Sequence, residues 1–168
     1  KKGIVFIKHS SVYELFVGLL LFSPSSWVAK HELMYLPLFR KAIKVFGFIP
    51  VKRGLGKSEV SRVIRDGTAR LSEGNWIVIF PEGTRVPHGK TKRYGLSGAL
   101  LAVGTSSNIT PIAHNAGRYW GRRSLIKKRG SVVFSVGSQI STFGKSYDEI
   151  NKEAKTWIDA ETKRIDGL

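Results

Sequence analysis

The chain has 168 residues, no cysteine, four histidines and a formal net charge of +16. The absence of cysteine excludes disulfides, thiolate metal sites and thiol nucleophiles, and the scattered histidines argue against a metal site. The length suits one domain rather than two, so residues 1–168 are expected to form a single domain.

The positive charge is concentrated in one part of the sequence. Residues 86–130 contain nine Lys or Arg and no Asp or Glu, whereas residues 145–168 contain five cations and six acids. A basic region of this kind attracts nucleic acid, anionic lipid headgroups or an acidic protein. A solvated basic face that only aids solubility accounts for the same charge equally well.

Strands and helices are predicted to alternate from the N-terminal end. Residues 4–7, IVFI, predict a short buried strand that ends just before His9. The apolar residues 12–22 suit a buried helix. These eleven residues are too few to cross a bilayer, which takes roughly 20. Residues 27–29 predict a second strand.

The middle of the chain continues this alternation. Residues 36–47 predict an amphipathic helix ended by Gly47, and FIPVKR follows as an interrupted strand. Ser58 is the predicted N-cap of the next helix, which Gly74 closes. The strand WIVIF then continues directly into PEGTR.

The C-terminal part predicts two further strands between two helices. A small-residue helix, LSGALLAVG, precedes the strand ITPIAHNAG, a basic loop over residues 118–130 and the strand SVVFSVG. The last helix, over about residues 147–165, carries a single apolar stripe. The alternation predicts an α/β fold, a mostly parallel sheet flanked by helices.

Polar residues follow several of these strands directly. His9, Arg53, PEGTR and HNAG each come at a predicted strand end. Ligands of open parallel sheets bind beyond the carboxyl ends of the strands, where such groups meet. The sequence therefore predicts a site at this edge of the sheet.

His9 and Glu14 are candidates for proton transfer. A histidine takes a proton from an alcohol well when a carboxylate fixes its tautomer and balances its developing charge. A spacing of five residues is too long for direct stacking on a regular helix. The side chains can meet if His9 lies in the turn before the helix and Glu14 lies in its first turn. An unrelated histidine and glutamate at this spacing remain the alternative.

FPEGTR suits an anion. Its glycine lets backbone N–H groups approach the ligand, and Thr84 and Arg85 add a hydroxyl and a bidentate charged group. An ordinary turn with surface charges is the alternative. Lys52 and Arg53 are a second pair of cations, and His114 is interpreted as structural rather than catalytic.

Two other motifs are excluded on spacing. GLGKS lacks the first glycine of a phosphate-binding P-loop, because that position is Val51. GLSGA lacks the G-x-S-x-G spacing of a serine hydrolase.

The succession KHSSVYEL, FIPVKRG, WIVIFPEGTR and TPIAHNAG resembles the 1-acyl-sn-glycerol-3-phosphate acyltransferase family, the lysophosphatidate acyltransferases of phospholipid synthesis. The resemblance covers nearly the whole chain, and FPEGTR is its most specific motif. It implies transfer of a fatty acyl group to the sn-2 hydroxyl of 1-acyl-sn-glycerol-3-phosphate (lysophosphatidic acid), giving phosphatidic acid.

The same resemblance assigns roles to individual residues. His9 would be the general base and Glu14 its partner, although Asp is commoner than Glu at that position in the family. The substrate-binding residues it implies are Arg53, Lys57, Glu82, Gly83, Thr84, Arg85, Pro111 and Asn115. It implies no metal and no bound cofactor.

Partners and location are also implied by the resemblance. The donor would be acyl-CoA or acyl-acyl carrier protein, and the enzyme would work at an anionic membrane surface, on the cytoplasmic face of the cell inner membrane, without nucleic acid. The basic residues 118–129 would lie near anionic lipid or the acidic carrier. Family members commonly carry a membrane-associating segment before the histidine motif, and this chain is expected to lack it.

Two alternatives stay open at this stage. The acceptor could instead be glycerol-3-phosphate, another lysophospholipid or an ornithine-type lipid, since these share headgroup chemistry. The chain could also be a non-catalytic basic module that binds a membrane or nucleic acid with steep salt dependence.

Overall fold

A computed structural model describes residues 2–35, 47–52 and 56–167. Its strands are β1 (Ile4–Ile7), β2 (Ser25–Lys30), β3 (Ile49–Val51), β4 (Trp76–Ile79), β5 (Ile109–His114) and β6 (Phe134–Val136). They form one sheet in the order β3-β2-β4-β1-β5-β6. Only β6 is antiparallel to its neighbour, and the other pairs are parallel. The predicted α/β fold with a mostly parallel sheet is confirmed.

The helices connect the strands. They are α1 (Tyr13–Leu21), α2 (Lys57–Ser72), α3 (Ser97–Gly104), the short α4 (Ala116–Tyr119) and α5 (Tyr147–Asp166), and a 3-10 helix spans His31–Tyr35. The prediction that Ser58 caps its helix is wrong, because Gly56 is the N-cap of α2 and Ser58 lies in the first turn. Apart from Gly47, the amphipathic helix predicted over residues 36–47 lies outside the described residues.

The sheet has an apolar cluster on each face. On one face α2, α3 and α5 cover a cluster that includes Phe6, Leu101 and Ile158. On the other face α1 packs its Leu15 and Leu19 against a smaller cluster that contains Trp27. Because both faces of the sheet are buried, the β1 residues are apolar on both faces. The strand therefore shows no alternation of apolar and polar residues.

Helix α1 differs from the predicted buried helix. Its inner face fits closely, since a Cβ on Gly18 would come within 2.4 Å of the Trp27 ring. Its outer face is apolar but exposed, with Phe16 57% and Leu20 83% accessible. Helical periodicity could not reveal this, because the segment is apolar on all sides. Among the described residues, none forms a helix long and apolar enough to cross a bilayer.

The parallel strands bring their carboxyl ends to one edge of the sheet. Central β1 lies between β4 and β5, with Phe6 opposite Ile79 and Ile7 opposite Ile112. The segments that follow these three strands therefore start side by side. The histidine motif and PEGTR lie after β1 and β4, and HNAG begins at His114, the last residue of β5.

Candidate active site

His9 lies in the turn between β1 and α1, in contact with Glu14. The Nδ1 atom of His9 is 2.8 Å from Oε1 of Glu14. A carboxylate oxygen accepts hydrogen bonds, so Nδ1 carries the proton and Nε2 keeps the lone pair. His9 lines a cavity, which makes Nε2 the nitrogen suited to receive a proton from a ligand.

The local turn holds the Glu14 carboxylate in place. Glu14 is fully buried in the first turn of α1 and accepts the backbone N–H groups of Ser10 at 3.0 Å and Ser11 at 2.9 Å. An acid here also interacts favourably with the positive end of the helix dipole. The five-residue spacing works because the turn at Ser10 and Ser11 folds the two side chains together.

An aromatic ring supports the imidazole from the neighbouring strand. The Phe80 ring, which follows β4, stacks on His9 with centroids 3.9 Å apart and an interplanar angle of 17°. The hydrogen bond at Nδ1 and this stacking contact limit rotation of the ring about its side-chain bonds. The imidazole is therefore oriented before any ligand arrives.

The peptide unit between Lys8 and His9 is held on both sides by buried side chains. Its N–H group donates to Oε2 of Glu82 at 2.7 Å, and its C=O group accepts from Nε2 of His114 at 2.7 Å. The carbonyl of His9 in turn accepts from the Val86 N–H at 2.7 Å. The segment after β4 and the last residue of β5 thus fix the backbone that carries the imidazole.

Glu82 also forms a buried ion pair. Its Oε1 atom is 3.3 Å from Nζ of Lys8, and both side chains are almost inaccessible to water. Burial raises the pKa of Glu82 above its ordinary value, while the Lys8 ammonium and the His9 N–H group partly offset that rise. Glu82 therefore contacts the backbone of the histidine motif rather than the cavity.

His114 is buried and has one defined tautomer. Its Nε2–H donates to the Lys8 carbonyl, and its Nδ1 accepts the Ala116 N–H at 3.2 Å. Burial lowers the pKa of His114, although Glu14 and the Lys8 carbonyl oppose the shift. The neutral ring fits the structural role predicted for it, because Nδ1 is already used as an acceptor.

The cavity beside His9 has a volume of about 570 Å³ and joins apolar and cationic surfaces. Its lining includes the apolar side chains of Val12, Leu15, Trp27, Val28, Leu33 and Phe48. The cations that line it are Lys30, Arg85, Arg122 and Arg123. Such a site can hold a ligand that has both a hydrocarbon part and an anionic part.

The PEGTR segment supplies part of the cationic lining. Gly83, Thr84 and Arg85 line the cavity. Gly83 has a φ of 66°, a left-handed conformation that glycine adopts without strain. This turn directs Glu82 inward to the histidine backbone while the next three residues face the cavity.

Other residues predicted to bind substrate lie elsewhere. Lys57 is at the exposed start of α2 and, like Glu82, is not among the residues that line this cavity. Pro111 is buried inside β5, where it pairs with Phe6. Asn115 uses its side chain to accept the Val133 N–H at 2.9 Å. Arg53 lies outside the described residues.

Sequence reasoning missed Lys8 and assigned no role in the cavity to Arg122 and Arg123. Lys8 gave no signal because its partner is 74 residues away. Arg122 and Arg123 were included only in a basic loop with no defined contact. Within the described ranges, no three His, Asp or Glu side chains come together as ligands for a metal ion.

Comparison with known proteins shows which family this chain resembles. A family model described as Acyltransferase matches residues 1–115. The chain is 34% identical, over 94% of its length, to the 1-acyl-sn-glycerol-3-phosphate acyltransferase of Pseudomonas aeruginosa, and covers 63% of that protein. The enzyme of the same name from Borreliella burgdorferi is 29% identical over 78% of this chain, which covers 52% of it. The chain thus spans less than two thirds of either relative.

A solved structure shows the same fold. The crystal structure of the 1-acyl-sn-glycerophosphate (LPA) acyltransferase PlsC from Thermotoga maritima matches with a TM-score of 0.84 at 20% sequence identity. The match covers 100% of this chain and 68% of that one. It places the sheet and its helices in a known architecture.

The Lys8–Glu82 pair can be tested by neutralising one partner. Glu82→Gln keeps an oxygen that can accept from His9 but leaves the buried Lys8 ammonium without a counter-charge. We expect the free energy of unfolding to fall by about 3–5 kcal/mol, measured by urea denaturation. Adding Lys8→Met should restore part of this loss, and equal stability of wild type and Glu82→Gln would contradict the pairing.

The neutral state of His114 predicts a pH dependence of stability. Because its pKa in the folded chain lies below the ordinary value of 6.5, the unfolded chain binds a proton more readily. The contribution of the neutral His114 ring to the free energy of unfolding is complete above pH 6.5 and is lost as the pH falls below that value. As the pH falls from about 6.5 to about 5, the free energy of unfolding should decrease more in wild type than in His114→Gln. We expect this difference to be at most about 2 kcal/mol. Identical pH profiles in urea denaturation would refute this.

Proposed function

Because this chain belongs to the Acyltransferase family, we propose that it is an O-acyltransferase whose acceptor is lysophosphatidic acid. The acyl group passes from a thioester to the sn-2 hydroxyl and gives phosphatidic acid. The observation that carries the proposal is the His9–Glu14 pair at a cavity with both cationic and apolar sides. The names of the relatives from Pseudomonas aeruginosa and Borreliella burgdorferi support this acceptor.

In the proposed reaction the acyl group is transferred directly, without a protein nucleophile. Nε2 of His9 accepts the hydroxyl proton as the acceptor oxygen attacks the thioester carbonyl. The carbon–sulfur bond breaks as the tetrahedral intermediate collapses, and the imidazolium returns the proton to the departing thiolate. Glu14 stabilises the imidazolium through the 2.8 Å hydrogen bond at Nδ1.

The cations and the apolar lining divide the substrate between them. Arg85, with Thr84 beside it, provides a bidentate group for the acceptor phosphate. Val12 and Leu15 lie on the apolar side next to His9, where a hydrocarbon chain leaves water favourably. Headgroup and chain therefore meet at the imidazole, which is where the ester forms.

The donor and the location follow from the same chemistry. Acyl-CoA and acyl-acyl carrier protein both present an acidic carrier behind the thioester, which suits a chain with a net charge of +16. We place the enzyme at an anionic membrane surface, on the cytoplasmic face of the inner membrane, where both the lipid acceptor and these donors are available. Phospholipid synthesis is the process it would serve.

The base can be tested by thiol release. His9→Ala removes the proton acceptor, so thiol release from acyl-CoA in the presence of lysophosphatidic acid should fall by about a hundredfold to ten-thousandfold. His88→Ala changes a histidine that does not line the cavity and should retain activity. Near-normal activity of His9→Ala, with an unchanged circular dichroism spectrum, would overturn the base assignment. A non-catalytic basic module would release no thiol in any of the three proteins.

The phosphate contact can be tested through the acceptor KM. Arg85→Ala should raise the KM for lysophosphatidic acid roughly tenfold to a hundredfold, since a hydrogen bond to a charged group is lost. Arg65 is an exposed arginine on α2, so Arg65→Ala is the matched control and should leave KM unchanged. An unchanged KM in Arg85→Ala would argue against the phosphate contact.

The same assay distinguishes acceptors. Wild type is measured with lysophosphatidic acid, glycerol-3-phosphate, another lysophospholipid and an ornithine-type lipid. Faster transfer to one of the other acceptors would replace lysophosphatidic acid in the proposal.

A further inference from the structure

Two aliphatic side chains are exposed at the tip of the basic loop. Leu125 is 98% and Ile126 is 74% accessible to solvent. The cations that flank this pair are Arg122, Arg123, Lys127, Lys128 and Arg129. These exposed side chains add little to the core, and together with the flanking cations they suit a partner that is both apolar and anionic.

The loop around this tip is held by hydrogen bonds. The Trp120 indole N–H donates to the Ser124 carbonyl at 2.9 Å, and the Ile126 N–H donates to the Ser124 hydroxyl at 3.2 Å. At the base, the Lys128 N–H donates to the Tyr119 carbonyl at 2.8 Å. These contacts close the segment on itself and leave the two aliphatic side chains outside.

The loop is directly connected to the candidate active site. Arg122 and Arg123 line the same cavity as His9, and an Arg122 Nη1 group donates to the Arg85 carbonyl at 3.4 Å. The cavity also touches Val12, next to the exposed apolar face of α1. A partner that binds Leu125 and Ile126 is therefore brought close to the cavity.

We propose that Leu125 and Ile126 insert into an anionic lipid bilayer, with the flanking cations on lipid phosphates, so that the cavity opens toward the membrane. This insertion deepens the proposed function, because it assigns membrane contact to a defined element of the chain. It rests on that function only for the identity of the lipid that enters the cavity. Aliphatic tips and adjacent Lys or Arg are favourable together at the bilayer interface, where each meets its own environment.

Charge and exposure favour a bilayer over other occupants. A second copy of the chain would bring two strongly basic loops together, because residues 86–130 contain no Asp or Glu, and like charges repel. An acidic protein or nucleic acid would satisfy the cations but not two aliphatic side chains at the tip. The exposed face of α1, including Phe16 and Leu20, adds apolar area beside the same cavity, which suits an extended surface.

Vesicle cosedimentation tests the proposal without substrate. Wild type is mixed with large vesicles of phosphatidylcholine alone or with about 30% phosphatidylglycerol, which gives the surface a negative potential. The double variant Leu125→Ser, Ile126→Ser keeps the net charge, so it removes only the apolar contribution. We expect its partition coefficient on anionic vesicles to fall about tenfold or more.

Phe143→Ser is the matched control. Phe143 is 94% exposed but follows Ile140, which bridges Ile109 at the amino end of β5, on the edge of the sheet opposite the cavity. Its variant should bind like wild type. If wild type fails to bind anionic vesicles, or if the tip variant binds as wild type does, the insertion proposal is wrong. Tip-dependent capture of acyl carrier protein without vesicle binding would equally overturn it.

Activity separates this proposal from the proposed function. Thiol release with a short-chain, water-soluble lysophosphatidic acid should be the same in wild type and the double variant, because the tip does not line the cavity. Tip-dependent vesicle binding by a protein without transferase activity would leave the docking element standing and remove the function.

Discussion

The peptide unit between Lys8 and His9 determines where the imidazole can lie, since both of its polar groups bond to buried side chains. Glu82 accepts its N–H and His114 donates to its C=O, each at 2.7 Å. Glu82 follows β4 and His114 ends β5, so these contacts come from two different neighbours of β1. The position of the imidazole therefore depends on the packing of the central sheet. Rigid support of this kind sets the precision of a catalytic group.

Such support requires charged groups in the interior, where desolvation is costly unless each is paired. Lys8 pairs with Glu82, and Glu14 accepts two backbone N–H groups as well as the His9 ring. Apolar side chains of similar volume would stabilise the same edge without this desolvation cost, as replacement of buried ion pairs often shows. The polar cluster instead fixes one orientation, because its donors meet acceptors that are themselves buried and held in place.

The alternation of apolar runs was enough to predict a parallel sheet and the edge where the motifs meet, because strand direction follows from helical crossovers. It could not show which side of a motif faces a ligand. Glu82 was predicted to bind substrate along with the rest of its motif, yet the turn at Gly83 directs it inward. Lys8 gave no signal at all, since pairing over a long sequence separation leaves no local pattern. The exposed face of α1 was equally hidden, because a segment apolar on every side has no periodicity to read.

The polarity of the cavity matches one class of molecule better than others. Arg85 and Arg122 form its cationic part, while Val12 and Leu15 form an apolar part next to His9. A soluble phosphate ester would use only the cations and leave the apolar surface in contact with water, at a cost of roughly 25 cal/mol for each Å². A phospholipid precursor carries both a phosphate and a hydrocarbon chain, joined near the hydroxyl that reacts. Under the proposed function its phosphate meets Arg85 and its hydrocarbon chain meets Leu15, and the imidazole, which lines the same cavity, meets the glycerol.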